Sequence, residues 1–392
     1  MNQKQTEIWH TIIIGAGASG LFCAGSFSAS KLVLEHNDRA GKKLSVTGGG
    51  KCNFTNLFLS ATDYVSSQKH FCKNALAAFK PQHFTDILAQ EKIPFYEKEK
   101  GQLFTYDAKE VVKLLEKRAK KQNSTFSYNT QVLSIQKEKD FFRVQTSKGV
   151  FYAYHVVVAA GGLSYPALGA SGFAFQAAQS LGINLIPIRP ALVGFRLAEP
   201  WRNICRSLAG NSLSCTVKTQ NREENGQLLF THDGISGPVV LQSSLFHKEG
   251  EKIFINFLPQ KDALAILKNH KNKKETFSKI LSAFIAPKIS RLILQELDLP
   301  ACEATKEILH RAAERLNRFE CTPIATAGYT KAEVTAGGID PQTIDSHCMQ
   351  SKEINGLFFI GEALDVTGRL GGFNLHWAWA SAYVCAQHLK KE

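Results

Sequence analysis

The sequence predicts an α/β fold in which one domain with a parallel sheet is built from two separated stretches of chain. A buried apolar strand at 11–14 leads into a glycine-rich turn and a helix, as at the start of a βαβ unit. Further apolar strands ending in small residues follow at 156–162 and 356–362. Between the last two, from 189 to 326, short strands precede helices, which indicates an inserted second domain.

The turn after the first strand has glycines at the G-x-G-x-x-G spacing within Gly15-Ala16-Gly17-Ala18-Ser19-Gly20. Gly15 permits the tight turn, Gly17 lets the backbone approach a pyrophosphate, and Gly20 lets the following helix pack closely. Free N–H groups and the helix dipole then favour phosphates. The spacing therefore predicts a Rossmann-like dinucleotide-binding domain, with a helix over Leu21–Ser30.

The second strand, Leu32–Leu34, ends at Glu35. An acid at this position can accept hydrogen bonds from a ribose diol. The same acid disfavours a ribose 2′-phosphate, so the adenosine half is predicted to be that of FAD or NAD rather than NADP.

The remaining elements follow from periodicity and turn residues. In the first domain we expect helices at 71–79, 84–91, 108–121 and 374–389, a hairpin at 95–97 and 102–104, and strands at 130–135, 141–146, 149–154, 333–339 and 356–360. In the inserted domain we expect strands at 191–197, 212–218, 227–230 and 253–258, and helices at 262–269, 276–297 and 303–319.

The 392 residues favour two domains. The net charge of +13 would suit a nucleic-acid or membrane partner. The basic residues, however, lie in short clusters at 42–43, 117–121, 268–274 and 390–391. We therefore favour a lysine-rich composition or an anionic cofactor as the reason, without excluding nucleic acid.

The cysteines and the N-terminus predict a cytoplasmic protein. The nine cysteines include no C-x-x-C and no paired spacing, which is typical of reduced thiols, and no metal site is predicted. Residues 1–10 are polar and show no signal-peptide pattern, and no apolar run is long enough to span a bilayer. The sequence makes no prediction about oligomeric state.

A basic, glycine-rich loop follows over 39–56 and is expected to pack its backbone against a ligand, with Lys42, Lys43 or Lys51 near phosphates. Its run Thr47-Gly48-Gly49-Gly50-Lys51-Cys52-Asn53-Phe54-Thr55-Asn56 resembles the signature of the YhiN/BaiN-like FAD-dependent oxidoreductases, within the glutathione-reductase-type flavoprotein superfamily. Lys51 stands where that family usually has arginine, so the charge is kept and the bidentate fork is lost.

Within the predicted FAD-binding domain, three further stretches share this resemblance: 159–172, 333–339 and 361–375. The resemblance implies that Glu362 accepts a ribityl hydroxyl of FAD and that Val132 contacts the adenine through its backbone. It also implies that Gly371-Gly372, at the start of the last helix, face the flavin. The cofactor-binding residues expected from the glycine turn and from the resemblance are Gly15, Gly17, Ala18, Ser19, Gly20, Glu35, His36, Lys42, Lys43, Thr47, Gly48, Gly49, Gly50, Lys51, Cys52, Asn53, Val132, Ala160, Gly161, Gly162, Gly361, Glu362, Asp365, Gly371, Gly372, Phe373, Asn374 and Leu375.

Four residues are candidates for chemistry, each with a structural alternative. His232, beside Asp233 in a stretch that resembles the family's L-F-T-H-x-G-I-S-G-P motif, could transfer protons or simply hold a turn. Tyr165 could line the flavin pocket or pack in a turn. Cys52 could be a redox thiol or a small buried residue. His376, where the family often has glutamine, is more simply a structural histidine.

The predicted architecture is an FAD-binding domain over 1–188 and 327–392, with an inserted domain over 189–326 whose β part is 189–260 and helical part 261–320. The inserted domain is expected to cover the flavin and to form a pocket for a small-molecule substrate. The predicted function is hydride transfer at flavin N5. No second glycine fingerprint is visible, so either NAD(P)H binds transiently or an organic substrate reduces the flavin. The alternatives are a flavoprotein that binds or modifies tRNA and a non-enzymatic redox sensor.

Overall fold

The computed structural model describes residues 8–220 and 222–392, so the polar stretch 1–7 used in the signal-peptide argument lies outside the described residues. Along the described residues the strands are β1 Ile8–Ile14, β2 Lys31–Leu34, β3 Asn53–Asn56, β4 Tyr64–Val65, β5 Phe95–Glu97, β6 Gln102–Thr105, β7 Ser124–Ser127, β8 Val132–Lys137, β9 Phe142–Thr146, β10 Gly149–Val158, β11 Leu185–Ala191, β12 Phe195–Arg196, β13 Ser212–Lys218, β14 Glu223–Thr231, β15 Gly234–Ser236, β16 Ile253–Asn256, β17 Phe319–Cys321, β18 Ala325–Thr326, β19 Val334–Ile339, β20 Leu357–Phe359 and β21 Thr367–Gly368.

The helices alternate with these strands in the first part of the chain and cluster after β14. They are α1 Ala18–Ala24, α2 Thr47–Gly50, α3 Lys73–Ala78, α4 Pro81–Gln90, α5 Ala108–Lys121, α6 Phe173–Ser180, α7 Trp201–Ser207, α8 Pro238–Ser244, α9 Ala263–Asn269, α10 Phe277–Ile280, α11 Pro287–Leu294, α12 Lys306–Asn317 and α13 Phe373–Leu389. This arrangement confirms the predicted α/β class.

The chain divides into two compact units. Unit 1 comprises 1–190 and 334–392, and unit 2 comprises 191–333. Each unit has its own hydrophobic core. The sequence analysis expected the boundaries after residues 188 and 326, whereas the units divide after residues 190 and 333.

Unit 1 is built on a sheet with the order β7-β2-β1-β10-β9-β8, and β20 pairs with the second half of β10. The strands β7, β2, β1, β10 and β20 run parallel. Ile12 and Ile13 of β1 are fully buried, as expected for a central strand of a parallel sheet. The neighbours β9 and β8 add an antiparallel edge.

β10 is one ten-residue strand, whereas the sequence analysis expected two. Its first half, from Gly149 to Ala153, pairs antiparallel with β9, and Val156–Val158 run parallel to β1. The residues between them contain no glycine or proline, so nothing interrupts the extended backbone. The expected antiparallel addition is therefore part of the main sheet.

Unit 2 contains a sheet with the order β17-β16-β13-β14-β15-β12-β18. Its pairs are antiparallel, and α8, α9 and α12 contribute buried apolar residues to the same core. Strands up to β16 precede α9 to α12, as the sequence pattern indicated, but β17 and β18 follow these helices and belong to the same sheet.

Two predicted helices were too long. The first was expected over Leu21–Ser30, but α1 ends at Ala24, because Gly25 follows and the Ser26 hydroxyl donates to the Phe22 carbonyl. The second was expected over 276–297 and is broken into α10, a short turn and α11. Pro287 begins α11, and Ala286 before it is extended, as a residue preceding proline prefers. Helix α6 and strands β3 and β7 were not predicted.

Candidate functional site

The three glycines of the turn between β1 and α1 have different surroundings. Gly15 has φ +104°, and a Cβ on it would lie 2.5 Å from the Ala159 carbonyl oxygen. A Cβ on Gly20 would lie 2.0 Å from the Gly15 carbonyl oxygen. Neither position can take a side chain without moving backbone. Gly17 differs, because a Cβ there would meet no atom within 4 Å.

The open side of Gly17 leaves room for a ligand at the start of α1. Within the residues that the structure describes, the N–H groups of Gly17 and Ala18 have no hydrogen-bond acceptor. Ser19 lies one residue further on, where a Cβ on Gly361 would come within 2.6 Å of its hydroxyl oxygen. Unpaired N–H groups beside open space are the arrangement that binds a pyrophosphate.

Glu35 is buried and its carboxylate organises the end of β2. Its Oε2 accepts from the Ala16 N–H at 2.8 Å. Its Oε1 accepts from the N–H and side-chain amide of Asn37 at 2.8 and 2.9 Å, and His36 Nδ1 lies 3.2 Å away. Each carboxylate oxygen has two acceptor positions, so Oε2 retains one for a ribose hydroxyl. The expected ribose ligand therefore also holds the glycine turn in place.

The short element α2 is an irregular turn in the loop after β2, because Gly48 and Gly49 have non-helical backbone angles. Gly48, Gly49 and Gly50 all have positive φ, and Cβ atoms on Gly49 and Gly50 would meet nothing within 4 Å. Gly48 is different, since its Cβ would lie 2.9 Å from the Asn53 nitrogen. Thr47 bonds the Leu44 carbonyl through its hydroxyl. The loop thus presents bare backbone, as a ligand-binding loop requires.

The three loop lysines are in different environments. Lys42 pairs with Asp38 at 2.9 Å, and Lys51 is exposed. Lys43 Nζ donates to Ser164 Oγ at 2.7 Å and to Glu362 Oε2 at 2.8 Å. The structure therefore engages Lys43, rather than Lys42 or Lys51, with a second predicted site residue.

Glu362 lies at the centre of a hydrogen-bonded cluster after β20. Besides Lys43, its Oε1 accepts from Ser164 Oγ and from the Thr335 N–H, both at 2.9 Å. A Cβ on Gly162 would lie 2.5 Å from Thr335 Oγ1, while Gly161 faces open space at φ +70°. The cluster lies just beyond the carboxyl ends of β10 and β20, where open α/β sheets bind ligands.

Ser164 and Thr335 were not predicted as site residues. Ser164 stood in the quoted Ser164-Tyr165-Pro166 run, which was the available signal, whereas the role of Thr335 depends on a backbone N–H that no sequence pattern shows. Tyr165 has φ 61°, and its ring lies 5.7 Å from Lys43 Nζ. Tyr165 thus borders the same cluster.

The start of α13 is fixed by contacts to β3. Gly371 and Gly372 have positive φ, and a Cβ on Gly372 would lie 2.4 Å from the Thr55 carbonyl oxygen. With its amide oxygen facing α13, Asn53 accepts from the Gly372 N–H at 3.0 Å. Asn374 bonds both backbone groups of Gly368. Close backbone packing therefore explains Gly372 before any ligand is considered, whereas a Cβ on Gly371 would first meet the Gln102 side chain, at 3.0 Å.

The other predicted cofactor residues have mainly structural contacts. Asp365 accepts from the Ser67 N–H at 2.7 Å, the Phe373 carbonyl accepts from Tyr64, and Val132 is buried opposite Thr146. Ala160 and Leu375 are half-buried.

Two of the four candidates for chemistry, Cys52 and His376, are fully buried in unit 1. Cys52 is fully buried at φ 51°, and burial raises the pKa of its thiol to about 12. His376 is fully buried between Thr55 Oγ1 at 2.8 Å and the Phe79 carbonyl at 2.9 Å. Burial lowers the pKa of His376 to about 4, so it stays neutral. Both positions fit the structural alternatives.

His232 belongs to unit 2 and is exposed in the two-residue turn that joins β14 and β15. The Thr231 hydroxyl closes this turn on the Gly234 carbonyl, and Pro238 begins α8 shortly after. The turn therefore forms without the imidazole, and no hydrogen bond to that ring is found among the described residues.

The fold and the site define a dinucleotide-binding flavoprotein of the two-domain type. The chain belongs to the family described as HI0933-like protein Rossmann domain, whose model matches residues 9–388. This confirms the family resemblance found in the sequence and with it an FAD-dependent oxidoreductase. The residues present fit FAD: Glu35 keeps an acceptor for a ribose, Gly17 and Ala18 offer N–H groups beside open space, and Gly161 leaves a further backbone surface open.

Three relatives match over nearly their whole lengths. A ribosomal RNA dihydrouridine synthase from Escherichia coli is 39% identical over 98% of this chain and 98% of the relative. One from Haemophilus influenzae is 37% identical over 97% and 98%. A 3-dehydro-bile acid delta(4,6)-reductase from Clostridium scindens is 29% identical over 96% and 97%.

Among solved structures, a variant of the FrdA subunit of Escherichia coli quinol fumarate reductase has a TM-score of 0.51 at 14% identity, over 99% of this chain and 70% of that one. At that identity the likeness concerns the fold alone. Among residues 8–220 and 222–392, no helix is both long and apolar enough to cross a membrane.

Proposed function

We propose that this protein reduces a uridine of ribosomal RNA to dihydrouridine, using bound FAD. The observation that carries the proposal is the 39% and 37% identity to two ribosomal RNA dihydrouridine synthases across almost the entire chain. The alternative hypothesis of the sequence analysis, an RNA substrate, is thus better supported than the hypothesis of a small-molecule substrate. The proposed RNA is ribosomal RNA, whereas the sequence analysis named tRNA.

The third relative supports the reaction class. Its name describes a delta(4,6)-reductase of a 3-dehydro bile acid, and a 3-oxo group next to such double bonds makes them electron-poor. The C5–C6 bond of uracil is likewise conjugated to the C4 carbonyl. In each case a hydride can add to a carbon that the conjugated carbonyl makes electron-poor, and a proton then completes the reduction of the double bond. We therefore infer a reductase for carbon–carbon double bonds conjugated to a carbonyl.

When bound, FAD supplies the hydride for such a reduction, and the protein supplies orientation and electrostatics. Glu35 would hold the adenosine ribose, and the N–H groups of Gly17 and Ala18 would hold the pyrophosphate. Glu362 fixes Lys43 and Ser164 at the carboxyl ends of β10 and β20. Lys43 and Glu362 thereby form an ion pair at this edge, and Glu362 would accept a ribityl hydroxyl there, as the family resemblance implies.

NADH or NADPH is the proposed electron donor, bound transiently because the sequence contains no second glycine fingerprint. The reaction is tested by incubating the FAD-loaded protein anaerobically with each nicotinamide and with unmodified transcripts of large- and small-subunit ribosomal RNA. Nuclease digestion and mass spectrometry of the nucleosides then report dihydrouridine.

We expect dihydrouridine in a ribosomal RNA transcript and none in a tRNA transcript. A 3-oxo-Δ4 steroid in the same assay tests the small-molecule alternative. If a nicotinamide bleaches the flavin band and the steroid is reduced while every RNA stays unmodified, the RNA proposal is wrong and the conjugated-enone reductase remains.

A further inference from the structure

The positive charge of unit 2 is concentrated in residues 261–291, which we call the basic segment. It contains eight Lys or Arg residues and two acids. The other 112 residues of unit 2 contain twelve basic and thirteen acidic residues. The whole net positive charge of unit 2 therefore lies in this one segment, which comprises α9, α10, the start of α11 and the loops between them.

The basic side chains of this segment are available to a partner. All of them are exposed: Lys261, Lys268, Lys271, Lys273, Lys274, Lys279, Lys288 and Arg291. Within the described part of the chain, Lys261, Lys268, Lys271, Lys274 and Lys288 form no ion pair. No neighbouring carboxylate neutralises these five lysines, and their positive charges repel one another. An anionic partner that binds here relieves this repulsion and is attracted by all five charges.

The two acids of the segment do not cancel this charge. Asp262 caps α9 by accepting from the N–H groups of Leu264 and Ala265. Glu275 faces both Lys279 at 3.1 Å and Lys273 at 3.8 Å. The hydrogen bond from Lys279 lowers the pKa of the Glu275 carboxyl, as expected in positive surroundings.

Contacts within the segment, and with Asp298 just beyond it, hold its parts together as one surface. Lys261 Nζ, at the start of α9, lies 5.4 Å from the ring of Phe284, which precedes α11. Asp298 accepts from the Ser278 N–H at 2.7 Å and lies 3.7 Å from Arg291, which joins α10 to α11. The lysines are therefore presented by packed elements.

An exposed aromatic side chain lies among these lysines. Phe284 has a relative exposure of 47%, although most large apolar residues of this region are buried. An exposed ring within a basic surface is the combination that binds single-stranded nucleic acid, since lysines contact phosphates and the ring stacks on a base. A membrane-binding surface would need a broader apolar face than one phenylalanine.

We propose that the basic segment binds a single-stranded part of the substrate RNA, with Phe284 stacking on a base. The assignment of RNA rests on the proposed function. The segment itself is defined by charge and exposure in unit 2 alone, so its role can be tested separately from the reaction.

The first test compares two triple variants of the full-length, FAD-loaded protein. Lys268→Ala/Lys271→Ala/Lys274→Ala removes three unpaired lysines from the segment. Lys109→Ala/Lys113→Ala/Lys121→Ala removes three exposed lysines from α5, for which the described residues likewise show no ion pair. Binding of a labelled uridine-containing single-stranded RNA is measured by fluorescence anisotropy at several KCl concentrations.

We expect the segment variant to bind roughly ten-fold more weakly at moderate salt. Its slope of log K against log[KCl] should fall in magnitude by about 2, because each lost phosphate contact on a single strand removes about 0.7. The α5 variant should bind within about two-fold of wild type. Equal losses in both variants, or none in the segment variant, would overturn the proposal.

Phe284→Ala separates stacking from charge. It should weaken binding by roughly ten-fold while leaving the salt slope unchanged, because a stacked ring releases no counterions. An unchanged affinity would show that Phe284 does not stack on a base of the bound RNA. Wild-type binding to phosphatidylglycerol vesicles without binding to RNA would overturn it altogether.

The reaction assay distinguishes the two proposals. Normal dihydrouridine formation by the segment variant at low RNA concentration would overturn the binding surface and leave the proposed function intact. In the opposite outcome, wild-type protein binds RNA through the basic segment and yet forms no dihydrouridine. That result would support the binding surface and contradict the proposed reaction.

Discussion

His376 shows at the level of one residue how burial fixes a role that the sequence leaves open. Its Nε2–H donates to the Phe79 carbonyl, which leaves Nδ1 to accept from the Thr55 hydroxyl. Both ring nitrogens are therefore used inside unit 1, and the imidazole has no free position for proton transfer. The pKa of about 4 has a direct consequence for stability.

We expect His376 to make the protein less stable in acid. An unfolded histidine has a pKa near 6.5, so below that pH the unfolded chain binds a proton that the folded chain does not. The free energy of unfolding falls as the pH drops from about 6.5 to 4, by roughly 3 kcal/mol from this residue at most. His376→Gln, which keeps a donor for Phe79 and cannot be protonated, should flatten this dependence.

The measurement is the urea midpoint of both proteins between pH 7.5 and 4.5, with turnover at pH 7.5 as the control. His155, whose pKa burial also lowers to about 4, remains in the variant, so some acid sensitivity should persist. A variant with unchanged stability and full flavin content that lost its turnover would instead place His376 in the chemistry.

The turn from β1 to α1 is an element in which similar glycines serve different purposes. Gly20 is required by packing, because its Cβ would lie 2.0 Å from the Gly15 carbonyl oxygen. Gly17 has free space where that Cβ would be. A side chain at Gly17 therefore conflicts with a ligand, whereas one at Gly20 conflicts with the fold.

We expect Gly17→Val and Gly20→Val to fail in different ways. Gly17→Val should keep the thermal stability of the FAD-free protein within a few degrees of wild type and lose FAD. Gly20→Val should lower the stability of the FAD-free protein itself, by more than 2 kcal/mol for forced overpacking against backbone. The checks are thermal melts without FAD and flavin content after reconstitution. Full flavin occupancy in Gly17→Val would contradict the predicted pyrophosphate position.

The same element shows what could be predicted from sequence. Glycine spacing and the apolar run predicted β1, the turn and β2, because these elements depend on local backbone conformation and on the size of neighbouring side chains. The end of α1 depends on Gly25 and on the Ser26 hydroxyl, which compete locally with helix formation. The bond from Ala16 to Glu35 and the cluster of Lys43, Ser164 and Glu362 join positions far apart in sequence, and no local pattern shows them.

At the scale of the whole molecule, the charge distribution was visible in the sequence only as scattered clusters. The cluster at 268–274 resembled those at 42–43 and 117–121 until the structure showed their partners. Lys42 pairs with Asp38, and Lys117 and Lys120 pair with Glu91 and Glu116. Several lysines of the basic segment have no such partner among the described residues. The pair of Lys117 with Glu91 joins residues far apart in sequence, whereas the partners of Lys42 and Lys120 lie four residues away, within reach of a sequence argument.

Unit 2 is a single continuous stretch, Ala191–Glu333, with a hydrophobic core of its own. A stretch of this size with a closed core is within the range of independently folding domains, whereas unit 1 needs both of its segments.

We expect unit 2, expressed alone, to unfold cooperatively on heating and to bind no FAD, because the predicted cofactor residues all lie in unit 1. Circular dichroism melts and a flavin-binding titration check both expectations. A non-cooperative melt would show that the core of unit 2 requires unit 1. A folded unit 2 whose RNA affinity fell with Lys268→Ala/Lys271→Ala/Lys274→Ala would instead locate RNA binding and cofactor binding in separate parts of the chain.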